Sequence, residues 1–128
     1  YFLRLKLLTL NDQLLDENFY WLAKPGKSYE KLNELKPVAL QTEYNKNSFV
    51  ISNPTNDAAF FIRLKLVDEK TGNLVLPVFL SENYFTLLPG EKKEIKADTS
   101  LLPPDTNGNT ILLMIEGWNT SAKPIKLE

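Results

Sequence analysis

The sequence contains neither cysteine nor histidine, and each absence excludes specific chemistry. Without cysteine there is no disulfide bond and no thiolate nucleophile. Without histidine the chain lacks the base of Ser-His-Asp and Cys-His arrangements, the usual transition-metal ligand and the side chain that titrates nearest neutral pH. Catalysis by either of these arrangements is therefore excluded within this chain.

Long apolar runs and an excess of either charge are also lacking. No stretch approaches the roughly 18 apolar residues of a membrane span, and no charged-then-apolar leader is recognisable. The 15 basic and 16 acidic side chains are scattered and give a formal net charge of −1, so we expect neither nucleic acid nor a membrane as a partner. With 128 residues, 43% of them hydrophobic, the sequence predicts a soluble protein with one domain core.

The pattern that is present is that of β-strands, and it begins at the N-terminus. Leu3, Leu5 and Leu7 fall on one face of the first stretch, with basic residues between them on the other face. Turn-forming residues at 11–13 and an aromatic return at 14–22 complete the signature of a hairpin.

A linker with a short helix is predicted over residues 28–37, where the apolar spacing fits at most two helical turns before Pro37. Because Tyr1 enters a strand-like pattern directly, we interpret the chain as a piece cut from a longer one.

From Val38 onward, strand signals alternate with turn signals about every 8–12 residues, which is the spacing of a sandwich or barrel. Strands are predicted near 38–44, 48–52, 58–67, 74–80, 84–88, 92–98, 110–117 and 122–127. Pro77 is expected at an edge or bulge, because it cannot donate to a ladder. Residues 88–91, Leu-Pro-Gly-Glu, fit a type II turn. The fold expected is an all-β antiparallel sandwich of about seven strands.

Carboxylates are the only side chains that offer acid–base catalysis here. Asp68 and Glu82 lie beside predicted turns, but no feature singles out a pair among the 16 acids. Solvated turn and strand-face positions are the preferred interpretation, so we predict no catalytic residue.

A calcium loop is suggested by the spacing of Asp105, Asn107, Asn109 and Glu116. Its glycine stands at position 4 instead of 6, and a strand-like run follows it instead of a helix. An ordinary polar hairpin loop is preferred, so we predict neither a metal site nor a cofactor.

Aromatic side chains offer a second kind of site. Trp21, Tyr44, Tyr84, Phe85 and Trp118 could stack on the apolar faces of sugar rings. Core packing is the expected role of most of these rings in a β-sandwich. Residues 119–121, Asn-Thr-Ser, also spell a glycosylation sequon, which matters only in a eukaryotic secretory setting.

Residues 59–91 carry a longer pattern. Its elements are Ala59-Phe60-Phe61, Leu76-Pro77-Val78, Asn83-Tyr84-Phe85 and Leu88-Pro89-Gly90-Glu91, and the later run 116–119 reads EGWN. Together they resemble the C-terminal immunoglobulin-like domain of glycoside hydrolase family 2 enzymes of the exo-β-D-glucosaminidase and β-mannosidase type. Glu82 stands where that family often has Asp.

A near-repeat extends the resemblance toward the N-terminus. FLRLKL at 2–7 recurs as FIRLKL at 61–66, and each copy is followed by Asn and two aromatics. The first copy resembles the last strands of the preceding immunoglobulin-like domain of those enzymes. We therefore divide the chain into a hairpin remnant at 1–27, the linker at 28–37 and an immunoglobulin-like domain at 38–128. Strands absent from this chain would cover the leucine face of the remnant, so the fragment is expected to self-associate through residues 1–23.

The resemblance implies an accessory role. In such enzymes a TIM barrel with two glutamates performs a retaining hydrolysis, and none of those residues has a counterpart here. The implied partners are the catalytic and neighbouring domains of the same polypeptide. Asn83, Tyr84 and Trp118 are the candidate contacts to carbohydrate or to a neighbouring domain. The resemblance also implies a bacterial parent enzyme that is periplasmic or secreted.

Two other functions fit the same residues. One is an autonomous carbohydrate-binding module. The other is an immunoglobulin-like adhesion or assembly domain that recruits a partner through edge strands, which fold class alone does not separate from an accessory module.

Overall fold

The structure is a computed structural model that describes residues 1–45, 48–98, 100 and 110–126. Its strands are β1 (Phe2–Leu8), β2 (Leu14–Trp21), β3 (Gln41–Asn45), β4 (Ser48–Ser52), β5 (Ala59–Asp68), β6 (Phe79–Leu80), β7 (Phe85–Leu87), β8 (Lys92–Asp98), β9 (Ile111–Gly117) and β10 (Thr120–Lys126). The chain divides into two compact units, Tyr1–Glu34 and Leu35–Glu128. Among the described residues, no helix is long and apolar enough to cross a membrane.

The first unit is built on the predicted hairpin of β1 and β2. The antiparallel ladder pairs Leu3 with Tyr20 and Leu5 with Asn18, so these side chains share one face of the ribbon. Leu3, Leu5 and Leu7 on that face are 43%, 52% and 61% exposed. The leucine face of the hairpin is therefore open to solvent.

The opposite face of the hairpin carries aromatic rings. Phe2 and Phe19 lie 5.4 Å apart between ring centroids, and the Arg4 guanidinium lies over the Phe19 ring at 5.4 Å. Trp21, which pairs with Phe2 in the ladder, contacts the ring of Tyr29 at 5.7 Å. The Tyr29 hydroxyl also donates to the Trp21 carbonyl oxygen at 3.4 Å. The segment that follows the hairpin thus packs on this face.

The predicted linker helix is a 3-10 helix of five residues, Glu30–Glu34, and none of them is buried. A stretch this short cannot offset the cost of nucleating an α-helix, and Pro37 stops its extension.

The second unit is an antiparallel sandwich of two four-stranded sheets within the part of the chain that the structure describes. Their strand orders are β10-β9-β5-β7 and β3-β4-β8-β6. Val38 adds an isolated parallel bridge to Thr120. The all-β class predicted from the sequence is confirmed, and the arrangement is consistent with an immunoglobulin-like sandwich.

The core lies between the two sheets and follows the alternation of β5. Ile62, Leu64 and Leu66 are buried and pack with inward residues of the facing sheet, including Phe49, Ile51 and Ile95. Arg63 and Lys65 point to the other side of β5 and are only partly covered. β5 therefore separates the core from a half-exposed outer face.

The predicted type II turn is present after β7. Gly90 has φ 75°, and the Glu91 N–H donates to the Leu88 carbonyl oxygen at 3.1 Å. The turn is held by Asn53, which is 0% exposed and whose backbone N–H and C=O bond Glu91 and Gly90 at 2.9 Å each. The Asn53 side-chain amide also donates to the Leu87 carbonyl oxygen at 3.0 Å.

The strand predicted over 74–80 is wrong for most of its length. Leu74 forms one isolated bridge with Val67, and regular pairing is confined to β6 at Phe79–Leu80. Pro77 stands between the two, and its lack of an N–H prevents a continuous ladder there. β3 likewise begins at Gln41 instead of residue 38.

Candidate functional site

The three site residues predicted from the sequence lie in loops next to β7 and β9, the two strands that neighbour β5 in its sheet. Asn83 and Tyr84 directly precede β7, and Trp118 lies in the turn between β9 and β10. Tyr84 is 51% exposed and Trp118 is 54% exposed. The expectation that most of the aromatic rings lie in the core is wrong for these two and for Trp21, while Phe85 is buried as expected.

Asn83 serves as a backbone substitute. Its side-chain oxygen accepts from the Leu64 N–H at 2.8 Å, and its side-chain nitrogen donates to the Leu64 carbonyl oxygen at 2.9 Å. β7 has not yet begun at this position, so the side chain makes both bonds that a strand residue would make through its backbone. These bonds hold Asn83 against β5 and so fix the position of Tyr84, the next residue.

Tyr84 is exposed, and its backbone is held in the left-handed region. Its φ is 56°, and Phe61 on β5 has the same value. For bulky residues this conformation is uncommon and costs strain energy. The two rings contact each other at 5.1 Å between centroids, and the Arg63 guanidinium lies over the Tyr84 ring at 6.0 Å. Two strained aromatics and one cation thus form a cluster on the outer face of the sheet.

One carboxylate beside these rings forms ion pairs with two cations. Arg63 Nη1 lies 3.3 Å from Glu116 Oε1, and Lys65 Nζ lies 3.0 Å from Glu116 Oε2. All three side chains are partly exposed, so each pair contributes at most about 1 kcal/mol to stability. Two cations face one anion, so these three side chains together carry a net positive charge. We call Phe61, Arg63, Lys65, Tyr84 and Glu116 the Tyr84 cluster.

The turn that carries Trp118 fixes the other end of the cluster. The Trp118 N–H donates to the Phe60 carbonyl oxygen at 2.9 Å, and the Asn119 side-chain oxygen accepts from the Phe60 N–H at 2.8 Å. Gly117 permits the approach, since a Cβ there would lie 3.1 Å from the Phe60 carbonyl oxygen. Both peptide groups of Phe60 are thereby tied to the turn, next to the strained residue Phe61.

The carboxylates considered for catalysis are engaged locally. Glu82 forms an ion pair with Lys93 at 2.8 Å. Asp68 Oδ1 accepts from the N–H groups of Lys70 and Thr71 at 2.9 and 2.8 Å, and from the Thr71 hydroxyl at 3.1 Å. These bonds, led by that of the Thr71 N–H, hold the pKa of Asp68 below its ordinary value.

Three positions of the suggested calcium loop, Asp105, Asn107 and Asn109, lie outside the described residues. Its last position, Glu116, is paired with two cations. Among described residues, no group of three or more acidic side chains is placed to hold a metal ion.

The Tyr84 cluster is an open surface. Two grooves of about 480 and 440 Å³ lie in the same unit. One is lined by β6 and β8, and the other by residues 37–42 with the start of β10. Asn83, Tyr84 and Trp118 line neither of these two grooves.

Sequence reasoning missed Phe61, Arg63 and Asn119 as parts of this region. The signal for the first two is the repeat itself: Phe2, Arg4 and Phe19 in the hairpin form the same set of contacts as Phe61, Arg63 and Tyr84. The sequence marks Asn119 as part of the EGWN run and of a glycosylation sequon but not as a structural contact, because its hydrogen bonds to distant backbone leave no local pattern.

The sequence matches one protein-family model over residues 18–120, that of the exo-beta-D-glucosaminidase Ig-fold domain. It is 30% identical to an exo-beta-D-glucosaminidase of Arthroderma benhamiae, in an alignment covering 97% of this chain and 16% of that protein. It is also 30% identical to an exo-beta-D-glucosaminidase of Hypocrea jecorina, over 98% of this chain and 17% of that protein. The chain thus spans less than a fifth of the length of these relatives.

Solved structures show the same fold. The Amycolatopsis orientalis exo-chitosanase CsxA superposes with a TM-score of 0.70 at 22% identity, over 94% of this chain and 17% of that one. A structure of CsxA inhibited by a glucosamine-configured castanospermine gives a TM-score of 0.69, also at 22% identity, with the same coverage. The relatives come from fungi and a bacterium, and they give no support to the bacterial origin or the β-mannosidase type implied by the resemblance.

Proposed function

The chain belongs to the exo-beta-D-glucosaminidase Ig-fold domain family, and from this premise we propose that it is a non-catalytic accessory module of a family 2 glycoside hydrolase. The observation that carries the proposal is the family match over residues 18–120, which includes the whole stretch from β3 to β9. The parent enzyme proposed is an exo-β-D-glucosaminidase that is secreted or periplasmic.

The role proposed for the module is packing against the catalytic barrel and neighbouring domains of the same polypeptide. Two features of the residues support a structural role. The sequence has no histidine and no cysteine, and Asp68, Glu82 and Glu116 are each held in local hydrogen bonds or ion pairs. Carboxylates committed in this way are poorly suited to exchange protons with a substrate.

The hairpin unit is proposed to be part of a neighbouring immunoglobulin-like domain, with residues 28–37 as the linker between domains. Support comes from matching registers. Leu3 pairs with Tyr20 as Ile62 pairs with Phe85. Ile62 lies in the core of the sandwich, whereas Leu3 is 43% exposed. The leucine face of the hairpin has the apolar composition of a face that packs against a second sheet in a sandwich core.

The experiment that tests this function compares the 128-residue chain with its parent polypeptide. Both are assayed on aryl β-glucosaminide and aryl β-mannoside substrates. We expect hydrolysis of the glucosaminide by the parent and none by the chain alone. Hydrolysis by the isolated chain, or a parent without glycosidase activity, overturns the proposal.

An autonomous carbohydrate-binding module is the second candidate, and the exposure of Tyr84 and Trp118 favours it. It is tested by calorimetric titration of the isolated chain with glucosamine oligosaccharides. Millimolar or tighter binding that is lost in Trp118→Ala, but retained in Phe79→Ala, would support it. Phe79 is a matched control because it is an aromatic residue of similar exposure on β6.

A further inference from the structure

The Tyr84 cluster is an exposed surface whose backbone is strained on both sides. Phe61 and Tyr84 both have φ 56°, and a positive φ costs a bulky residue free energy that the rest of the fold must offset. Contacts elsewhere in the sandwich offset this cost.

Those contacts come from distant parts of the sandwich. Asn119 holds the Phe60 N–H at 2.8 Å, and the Thr86 hydroxyl accepts from the Phe61 N–H at 3.5 Å. On the other side, the two bonds between Asn83 and Leu64 fix the residue before Tyr84. The result of this bracing is that a tyrosine ring stands out from the sheet beside an electropositive patch.

A sugar ring is a poor fit for Tyr84. Stacking requires a free aromatic face, but the Arg63 guanidinium lies over this ring at 6.0 Å and the Phe61 ring contacts it at 5.1 Å. The exposed part of Tyr84 is therefore the part of the side chain that Arg63 and Phe61 do not cover. An exposed tyrosine set beside arginine is typical of protein–protein contact points.

The hairpin unit shows what covers the equivalent face. Phe2, Arg4 and Phe19 repeat the ring and cation contacts of Phe61, Arg63 and Tyr84, but Phe19 is only partly exposed. On the same face, the ring of Trp21 is in contact with Tyr29 from the following segment, at 5.7 Å. In the hairpin unit, a side chain of the same polypeptide therefore packs on this face.

From these observations we propose that the Tyr84 cluster, together with Trp118, is the surface by which the sandwich docks onto another domain of its own polypeptide. This inference rests on the accessory function proposed above. The partner surface is apolar at its centre, where it receives Tyr84. It carries acidic side chains at the rim, opposite the positive charge of Arg63 and Lys65 that Glu116 leaves unbalanced.

The first test is Tyr84→Ser, made in the parent polypeptide and in the 128-residue chain. We expect a lower melting temperature of the parent, by several degrees, and a much smaller shift in the isolated chain. Leu76→Ser is the matched control, because Leu76 is a large apolar residue that is 59% exposed on the connection before β6. Leu76→Ser should shift both proteins equally. Equal shifts for Tyr84→Ser in the two proteins, or no shift in the parent, overturn the docking surface.

Hydroxyl-radical footprinting gives a second readout that needs no variant. We expect Tyr84 and Trp118 to be oxidised readily in the isolated chain and protected in the parent, with Phe79 equally reactive in both. Equal reactivity of Tyr84 in the two proteins counts against docking. If the parent hydrolyses glucosaminides while Tyr84 stays reactive, this inference fails and the accessory function stands. A parent without glycosidase activity is instead a failure of the proposed function.

An oligosaccharide titration separates the sugar alternative. We expect the isolated chain to bind glucosamine oligosaccharides no more tightly than Tyr84→Ser does. Binding at millimolar or tighter affinity that Tyr84→Ser abolishes would overturn the protein partner in favour of carbohydrate.

Discussion

The side-chain amide of Asn83 forms both hydrogen bonds to the backbone of Leu64 that a paired strand would supply, at 2.8 and 2.9 Å. In the hairpin, Asn18 stands opposite Leu5 in the equivalent position, but there the pairing belongs to the regular ladder of β1 and β2. Asparagine at the equivalent position thus joins the two strands through its side chain in the sandwich and through its backbone in the hairpin. The difference gives a direct test of what the Asn83 side chain contributes.

Asn83→Ala should destabilise the sandwich by about 1–3 kcal/mol, because two hydrogen bonds to partly buried backbone are lost. The expected drop in melting temperature is about 4–8 °C per kcal/mol for a domain of this size. Asn18→Ala is the control, since Asn18 is exposed and its backbone carries the pairing. Thermal unfolding followed by circular dichroism checks both. Equal losses in the two variants would contradict the role assigned to the Asn83 amide.

Gly117→Ala should cost about 1–3 kcal/mol through overpacking. The added Cβ would lie 2.7 Å from Thr120 Oγ1 and 3.1 Å from the Phe60 carbonyl oxygen. Chemical denaturation measures the loss, and the double variant with Thr120→Ala should recover part of it. At Gly72, where φ is 70° and no atom lies within 4 Å, Gly72→Ala should cost about 1 kcal/mol from backbone strain alone. A full recovery by Thr120→Ala would show that the Phe60 carbonyl contact is unimportant.

Asn119 should remain unglycosylated in the folded protein although it begins a sequon. Its side-chain nitrogen already donates to the Lys36 and Ala58 carbonyl oxygens at 2.7 and 2.8 Å, and attachment of a glycan would remove one of the two hydrogens that form these bonds. Mass spectrometry of protein secreted from a eukaryotic host checks this. Full glycan occupancy in a cooperatively folding sample would refute it.

Asn119→Ala tests the same contacts by stability. We expect a loss of about 1–3 kcal/mol, since the N–H of Phe60 is left without its partner. Ser121→Ala removes the sequon without touching these bonds and should unfold like the unaltered chain. A loss under about 0.5 kcal/mol for Asn119→Ala would mean that other groups or water replace the amide.

Asp68 should contribute stability that depends on pH. The Thr71 N–H bond first, and then the Thr71 hydroxyl and Lys70 N–H bonds, lower the pKa of Asp68 from 3.8. Because the pKa of the folded state lies below that of the unfolded state, the contribution is present above about pH 4 and is lost as the pH falls through the folded pKa. Asp68→Asn should therefore flatten part of the loss of melting temperature between pH 5 and 2. Glu69→Gln, a change of the same charge in the same loop, should leave that slope unaltered.

Self-association through the hairpin should depend on its leucine face. The triple variant Leu3→Thr, Leu5→Thr and Leu7→Thr keeps β-propensity while removing exposed apolar area. We expect the unaltered chain to form dimers or larger species at high concentration and the variant to be monomeric in sedimentation velocity. Leu76→Thr, on the sandwich, should not change the association. If the unaltered 128-residue chain is monomeric at all concentrations, the expectation is contradicted.

Much of the strand layout follows from local sequence. The alternation in Phe61 to Leu66 determines which side of β5 is buried, and the Leu-Pro-Gly-Glu run at 88–91 determines its turn because only glycine readily adopts the required φ. The same alternation at residues 2–7 likewise predicts a strand, which is the first strand of the N-terminal hairpin. These features depend on neighbours one to four residues away.

The position of the candidate site was decided by the tertiary structure. Local patterns placed most of the rings in the core, but Tyr84 and Trp118 are exposed, and φ at Phe61 and at Tyr84 is positive. Those conformations are imposed by bonds such as Asn119 to Phe60, between residues 59 positions apart, and Asn83 to Leu64, 19 positions apart. Short-range sterics and periodicity, which are readable from the sequence, account for most of the strands and turns. Only the folded sandwich, by bringing distant amides against β5, decided which aromatic side chains reach the surface.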